Sequence, residues 1–208
     1  MTGAANLRGY VLAGGASSRF GTDKALVALQ GASMLARTVG LLEKVCGTVA
    51  IVAQKNKLEG SSTGTIVDRW PGEGPLGGIL TALFDSEAAG GSPGWNLVLS
   101  CDMPFLTEQW LTFLARRAEK SPAEAVVPNS DHGWEPLCAC WRNSAVPAIL
   151  AAFDAGTRKV TEALKQLRVE VLDERDWKRF DTNGRLFWNM NTAADYEEAL
   201  RIFNLENS

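Results

Sequence analysis

Short apolar segments alternate with longer segments of helical periodicity along most of this chain, and this alternation limits the possible folds more than any other feature. Apolar runs at 9–13, 48–53 and Trp95–Ser100 have the length of strands, and amphipathic segments separate them. Parallel strands joined by right-handed helical crossovers produce this pattern, with helices on both faces of the sheet. The sequence therefore predicts an α/β fold around a mostly parallel sheet.

The remaining elements follow from periodicity and from residues that begin or end helices. Ser33 and Thr107 have the side-chain oxygens that cap helix N-termini, so we expect helices after both. Further strands are predicted at 65–67, 125–127, 134–141 and 169–172, and further helices at 74–87, 143–154, 161–167 and 193–203.

Composition and charge restrict the class of protein. With 208 residues, 46% of them hydrophobic and 22% charged, the chain is expected to form one globular domain over 1–208. Its formal net charge of −3 argues against a nucleic-acid surface, which needs clustered Lys and Arg. No run reaches the roughly 20 apolar residues of a membrane span, and no secretory signal is apparent. We therefore expect a cytoplasmic protein that binds neither nucleic acid nor membrane.

A glycine-rich segment, LAGGASSRFGTDK at 12–24, follows the first predicted strand. Gly14 and Gly15 lack a Cβ, so their backbone can approach a phosphate and surround it with N–H groups. Arg19 can bind a phosphate with two parallel hydrogen bonds, and Lys24 adds a compact positive charge. A glycine pair after a strand is often only a tight turn, but together with these two cations it predicts a triphosphate site.

Two aspartates follow predicted strands on the same edge of the sheet. Asp102 comes directly after the buried run Trp95–Ser100 and suits Mg²⁺, which binds one or two carboxylates together with phosphate oxygens. The alternative is a capping or turn aspartate, because Pro104 and Thr107 mark a nearby helix start. Asp68 follows the third strand, where on its own it would be an ordinary loop residue.

These segments together resemble the molybdenum cofactor guanylyltransferase family, the enzymes that attach GMP to molybdopterin. The matching motifs occur in the family's order and span most of the chain: LAGG-x-x-x-R-x-G-x-D-K at 12–24, Asp68, GPLGG at 74–78, CDMPF at 101–105 and NMNT at 189–192.

The resemblance implies a Rossmann-like three-layer α/β/α fold of the nucleotide-diphospho-sugar transferase type. It further implies that Mg²⁺ and GTP are held by the backbone of Leu12, Ala13, Gly14 and Gly15, with Lys24, Asp68 and Asp102. Arg19, Lys24 and Asp102 are then the expected catalytic residues, and Asp102 the metal ligand. Molybdopterin is the implied acceptor, and proteins that deliver or receive the cofactor are possible partners.

One position departs from the family pattern. An asparagine often ends the second strand and helps to read guanine, whereas Val52 stands at or near that place here, with Gln54 following. A cytidylyltransferase of the same cofactor and a sugar-phosphate nucleotidyltransferase therefore remain alternatives, and a non-catalytic GTP-binding module is an alternative of another class.

The acceptor side is predicted from fewer signals. Arg158 follows a glycine at a helix approach and suits a second phosphate site, while Asn189 and Asn191 would face one side if extended. Asn191 also fits a capping segment, which leaves two interpretations. The lone histidine, His132, is expected in an exposed turn. Trp134 or Trp188 could stack on a pterin, although tryptophan is usually a core residue. The four cysteines are expected to be buried thiols.

Overall fold

A computed structural model describes residues 4–13, 28–29, 31–54, 63–90 and 94–205. Ten strands are present in this part of the chain: β1 Ala4–Leu12, β2 Ala28–Leu29, β3 Ala32–Ser33, β4 Cys46–Ala53, β5 Gly64–Val67, β6 Trp95–Ser100, β7 Ala125–Ser130, β8 Gly133–Trp134, β9 Cys138–Arg142 and β10 Val169–Leu172. The α-helices there are α1 Met34–Val45, α2 Pro75–Ala88, α3 Glu108–Lys120, α4 Val146–Asp154, α5 Val160–Leu164, α6 Glu174–Trp177 and α7 Ala193–Leu205.

The main sheet confirms the predicted mostly parallel α/β class. Its strand order is β10-β7-β9-β6-β1-β4-β5, with β8 paired to β7 outside this path. The pairs β6–β1, β1–β4, β4–β5 and β10–β7 are parallel. Strand β9 runs antiparallel to both of its neighbours, so a single reversed strand lies between two parallel blocks.

Helices cover both faces of this sheet, which gives the three-layer arrangement. Side chains along β1 alternate between the faces, as the two-residue period of a strand requires. Leu7 and Val11 belong to the core that includes residues of α1 and α3, whereas Tyr10 and Leu12 belong to the core that includes residues of α2, α4 and α5. All six residues of β6 are buried, as expected for a central strand covered on both sides.

The predicted helix caps are confirmed by their hydrogen bonds. The Ser33 side chain accepts from the Ala36 N–H at the start of α1, and Thr107 accepts from the Trp110 N–H at the start of α3. Each cap satisfies a backbone donor that the first helical turn would otherwise leave unpaired. Such a cap contributes about 1 kcal/mol to the stability of its helix.

The predicted continuous strand at 134–141 is wrong. Strand β8 ends at Trp134 and β9 begins at Cys138, and a turn separates them. The Cys138 N–H donates to the Glu135 carbonyl (3.0 Å), while the Glu135 N–H donates to the Pro128 carbonyl (2.9 Å). Apolar composition alone did not reveal this turn, because most of its residues are partly or fully buried.

A small third core joins the last helix to the rest of the molecule. Met190 and Phe203 pack with Leu29 and Met34, and the Phe105 ring stacks on Phe203 with 5.1 Å between the centroids. Helix α7 thereby lies against the segment that follows β6. No helix in the described ranges is both long enough and apolar enough to cross a membrane.

Candidate active site

The carboxyl ends of four parallel strands form one edge, and the predicted site residues follow them. At this edge Leu12 of β1 lies beside Ser100 of β6 and Val52 of β4, and Ala53 lies beside Val67 of β5. Three strand spacings of about 4.8 Å separate β6 from β5, or roughly 14 Å. Since magnesium–oxygen bonds are only about 2.1 Å long, this separation is too large for Asp102 and Asp68 to bind the same magnesium ion.

The glycine segment leaves from the middle of this edge. The Ala13 N–H donates to the Val52 carbonyl at 2.9 Å, which continues the β1–β4 ladder beyond Leu12. This amide is therefore already used and does not face a phosphate. Gly14, Gly15, Arg19 and Lys24 lie outside the described residues, and their roles stay predictions.

The Asp102 turn is fixed at two points. The Ser100 hydroxyl donates to Asp102 Oδ1 at 2.5 Å, and the Met190 N–H donates to the Asp102 carbonyl at 2.8 Å. Asp102 is half-buried and follows a fully buried strand. Because Thr107 caps α3, Asp102 is not the cap of that helix. The geometry holds its carboxylate at the sheet edge, where a metal ligand is expected.

Asp68 has a structural function that the sequence did not predict. Its Oδ1 accepts from the Trp70 N–H (3.0 Å) and lies 3.0 Å from the Thr81 hydroxyl, which itself accepts from the Arg69 N–H (3.1 Å). These bonds tie the turn after β5 to helix α2. Asp68 Oδ2 has no hydrogen-bond partner within the described ranges, so the predicted nucleotide contact can use only that oxygen without breaking the turn.

The last two glycines of the GPLGG motif, Gly77 and Gly78, lie where a side chain would meet neighbouring residues. A Cβ on Gly77 would lie 3.1 Å from Trp70 Cβ and 3.3 Å from the Trp70 carbonyl oxygen, and one on Gly78 would lie 3.3 Å from the Leu12 side chain. Helix α2 therefore approaches both the Asp68 turn and the end of β1. The motif brings the two parts of the candidate nucleotide site together.

The structure gives Arg158 partners that the acceptor interpretation did not foresee. Its Nε donates to Glu73 Oε2 at 2.5 Å, and its Nη1 donates to the carbonyls of Phe153 (2.7 Å) and Thr157 (3.0 Å). The guanidinium also lies 3.9 Å from the centre of the Phe153 ring. These contacts cap the end of α4 and hold the loop before α2, so the geometry favours a structural role.

The NMNT segment lies directly against the Asp102 turn through the Met190 bond. Within it, the Asn189 Nδ2 donates to the Phe187 carbonyl at 3.2 Å. The N–H groups of Asn191 and Thr192 both donate to Asp195 Oδ2 at 2.7 Å, and the Asp195 N–H donates back to the Thr192 hydroxyl at 3.1 Å. These bonds confirm the capping interpretation of this segment. Because the segment also lies beside Asp102, the predicted contact of Asn189 and Asn191 with the acceptor stays a prediction.

A buried carboxylate that the sequence analysis missed lies at the same edge. Glu135 is 7% exposed, and the Ser130 hydroxyl donates to its Oε1 at 2.6 Å. Burial raises the pKa of the Glu135 carboxyl, the Ser130 hydrogen bond and His132 lower it, and the Asp102 carboxylate raises it. In the sequence, the signal for this residue was a charged side chain, Glu135, inside the otherwise apolar run at 134–141.

Other predictions have simple outcomes. His132 is exposed in the turn between β7 and β8, as expected. Trp188 packs on Phe105 with 5.6 Å between the ring centroids, in the third core. Val52 is 2% exposed within the core on the α2 face, so its side chain does not reach a base. Three of the four cysteines are buried and Cys101 is partly buried.

Comparison with known proteins agrees with this geometry. A family model described as a MobA-like NTP transferase domain matches residues 9–171. A Bacillus cereus protein named probable molybdenum cofactor guanylyltransferase is 29% identical over 204 residues, covering 95% of this chain and 98% of its own length.

Solved structures give the same result. The crystal structure of molybdopterin-guanine dinucleotide biosynthesis protein A from Archaeoglobus fulgidus superimposes with a TM-score of 0.81 at 28% identity, covering 95% of this chain and 99% of that chain. A Mycobacterium tuberculosis protein crystallised with manganese shares the fold, with a TM-score of 0.64 at 15% identity over 94% of this chain and 98% of that chain.

Proposed function

Because the chain belongs to the MobA-like NTP transferase family and is thus a nucleotidyltransferase, we propose that it transfers GMP from GTP to the terminal phosphate of molybdopterin. The names of its relatives support this acceptor and this base. The observation that carries the proposal is the Asp102 turn. It follows a buried strand that pairs with the strand leading to the glycine segment, so the carboxylate and the predicted phosphate loop leave adjacent strands.

The described residues fit a divalent cation that is shared with a substrate. Within the described ranges no three His, Cys, Asp or Glu side chains form a metal cluster. Mg²⁺ commonly uses only one or two carboxylates and takes its other ligands from phosphates and water. Asp102 would hold this ion, and the bound ion would neutralise charge on the triphosphate.

The chain's own contribution is positioning and charge. An oxygen of the acceptor phosphate attacks the α-phosphorus of GTP, and the bond from that phosphorus to the bridging oxygen of the β-phosphate breaks, which releases pyrophosphate. The acceptor phosphate is already ionised at neutral pH, so no side chain has to remove a proton. Arg19 and Lys24 are proposed to neutralise the charge that develops on the leaving pyrophosphate.

A pyrophosphate-release assay with purified protein, GTP, Mg²⁺ and molybdopterin tests the proposal. Asp102→Asn keeps the shape of the side chain and an acceptor for the Ser100 hydroxyl, so we expect a folded protein with a rate lowered by about 10²-fold or more. Lys24→Ala is expected to abolish turnover. Asp85→Asn is the matched control, because Asp85 bonds the Tyr10 hydroxyl at 2.9 Å on the α2 face. Full activity of Asp102→Asn would contradict the assigned site.

The choice of base needs its own measurement. With the Val52 side chain buried, guanine must be read by other groups, and Gln54 at the end of β4 is the proposed candidate. Competition between GTP and CTP in the same assay separates the two nucleotides. Equal or better use of CTP would replace the guanylyltransferase with a cytidylyltransferase, and turnover of a sugar phosphate in place of molybdopterin would change the acceptor.

A further inference from the structure

Glu135 is fixed in place although it lies in a turn. Both of its backbone polar groups are bonded, to Pro128 on one side and to Cys138 on the other. The residue is 7% exposed, so its carboxylate is not a mobile surface group. A buried carboxylate at the edge of a candidate active site needs a physical explanation, because removing a charge from water is costly unless it is paired.

The reversed strand β9 places this turn beside Asp102. Leu99 of β6 pairs with Cys138 of β9, and the Ser100 N–H donates to the Leu137 carbonyl at 2.9 Å. Because β9 runs antiparallel to β6, it begins at the edge where β6 ends. Neighbouring strands are about 4.8 Å apart, so the turn that contains Glu135 and the turn that contains Asp102 are adjacent.

Within the described ranges, no side chain of opposite charge forms an ion pair with Glu135, although His132 lies near enough to lower its pKa. Across the described ranges, its side-chain hydrogen-bond partner is the neutral Ser130 hydroxyl, and no lysine or arginine forms an ion pair with it. The Asp102 carboxylate, on the adjacent turn, acts on Glu135 as a like charge. Two neighbouring carboxylates of this kind are stabilised when a cation binds near both.

We propose that Glu135 supplies a second carboxylate for the divalent-cation site of Asp102, as a direct ligand or through a metal-bound water. This rests on the proposed metal at Asp102 and extends it. In the strand order, Glu135 lies on the opposite side of Asp102 from the glycine segment. It therefore lies on the side of Asp102 away from the predicted phosphate loop, where it strengthens cation binding.

Binding of Mn²⁺ to the nucleotide-free protein tests this directly, with free Mn²⁺ measured by electron paramagnetic resonance. Glu135→Gln keeps the size of the side chain and an acceptor for Ser130, and we expect its Mn²⁺ affinity to fall by about 10–100-fold. Glu135→Asp keeps the charge and should recover part of the affinity. Glu170→Gln is the matched control, because Glu170 lies on β10 and forms an ion pair with Arg117 of α3, and this variant should bind Mn²⁺ like the wild type.

Thermal unfolding provides a readout that a merely structural role would not produce. Without metal, Glu135→Gln should melt at the wild-type temperature or above it, because one of two neighbouring negative charges is gone. With Mn²⁺, the wild type should gain more stability than the variant, since at a given concentration a ligand that binds the folded state more tightly stabilises it more. A variant destabilised equally with and without Mn²⁺ would indicate a packing role and overturn the proposal.

The two proposals fail in different ways. If Asp102→Asn loses Mn²⁺ binding while Glu135→Gln keeps it, the role of Glu135 is refuted and the assignment of Asp102 stands. If both variants bind Mn²⁺ like the wild type, the metal site at this edge is refuted together with the role of Glu135.

Discussion

Replacing Gly77 by alanine tests how the Asp68 turn is held against helix α2. The new Cβ would lie 3.1 Å from Trp70 Cβ and 3.3 Å from the Trp70 carbonyl oxygen. Trp70 cannot yield easily. Its N–H is bonded to Asp68, its carbonyl accepts from the Glu73 N–H at 3.1 Å, and its ring packs 5.4 Å from that of Phe153. Overpacking of this kind costs about 1–3 kcal/mol.

The same substitution at Gly40 is the control. Gly40 also lies in a helix, α1, but a Cβ there would meet nothing within 4 Å. Alanine at this position should stabilise the protein by up to about 1 kcal/mol through helix propensity. Because Gly77 gains at most the same amount, the two variants should differ in the free energy of unfolding by about 1–3 kcal/mol.

Urea unfolding and thermal melts measure this difference. For a chain of this size it corresponds to a gap in melting temperature of at least about 2 °C, with Gly40→Ala the more stable. The KM for GTP should rise only in Gly77→Ala, because only that change displaces the Asp68 turn. If Gly77→Ala is stabilised as much as Gly40→Ala, the close approach of α2 to Trp70 is refuted.

Three further predictions follow from the hydrogen bonds and the burial. Thr192→Ala should lower the free energy of unfolding by about 1 kcal/mol, because it removes the cap of α7, and urea unfolding checks this. Arg158→Ala should lower it by about 1–2 kcal/mol through the lost carbonyl bonds and leave the KM for the acceptor unchanged; a large rise in that KM would restore the acceptor role. Burial raises the pKa of the Cys46 and Cys138 thiols to about 12, so iodoacetamide at pH 8 should label them only in denaturant, as mass spectrometry can show.

Local signals predicted most of the longer elements and one edge of the site. Ser33 and Thr107 act through bonds to residues three positions away, so the sequence was sufficient to place them. The strand end at Ser100 was predicted from the apolar run Trp95–Ser100, which stops at Cys101. In each case the cause and the effect lie within a few residues of each other.

Contacts between distant segments were not predictable in this way. Arg158 pairs with Glu73, and Asp68 bonds Thr81, only after the sheet and its helices have assembled. Glu135 lies near Asp102 because β9 is antiparallel to its neighbours β6 and β7. Neither composition nor periodicity specifies the direction of a strand. The capping and acceptor interpretations of Asn191 were separable only once the Asp195 carboxylate was located.

The bond between the Met190 N–H and the Asp102 carbonyl has a consequence for synthesis of the protein. The glycine segment, Asp68 and Asp102 all leave the ribosome well before Met190 does. Until Met190 emerges, the Asp102 backbone lacks this partner and α7 cannot pack on Phe105. A nascent chain can therefore assemble most of the sheet, but the support of the Asp102 turn is complete only after Met190 has been synthesised.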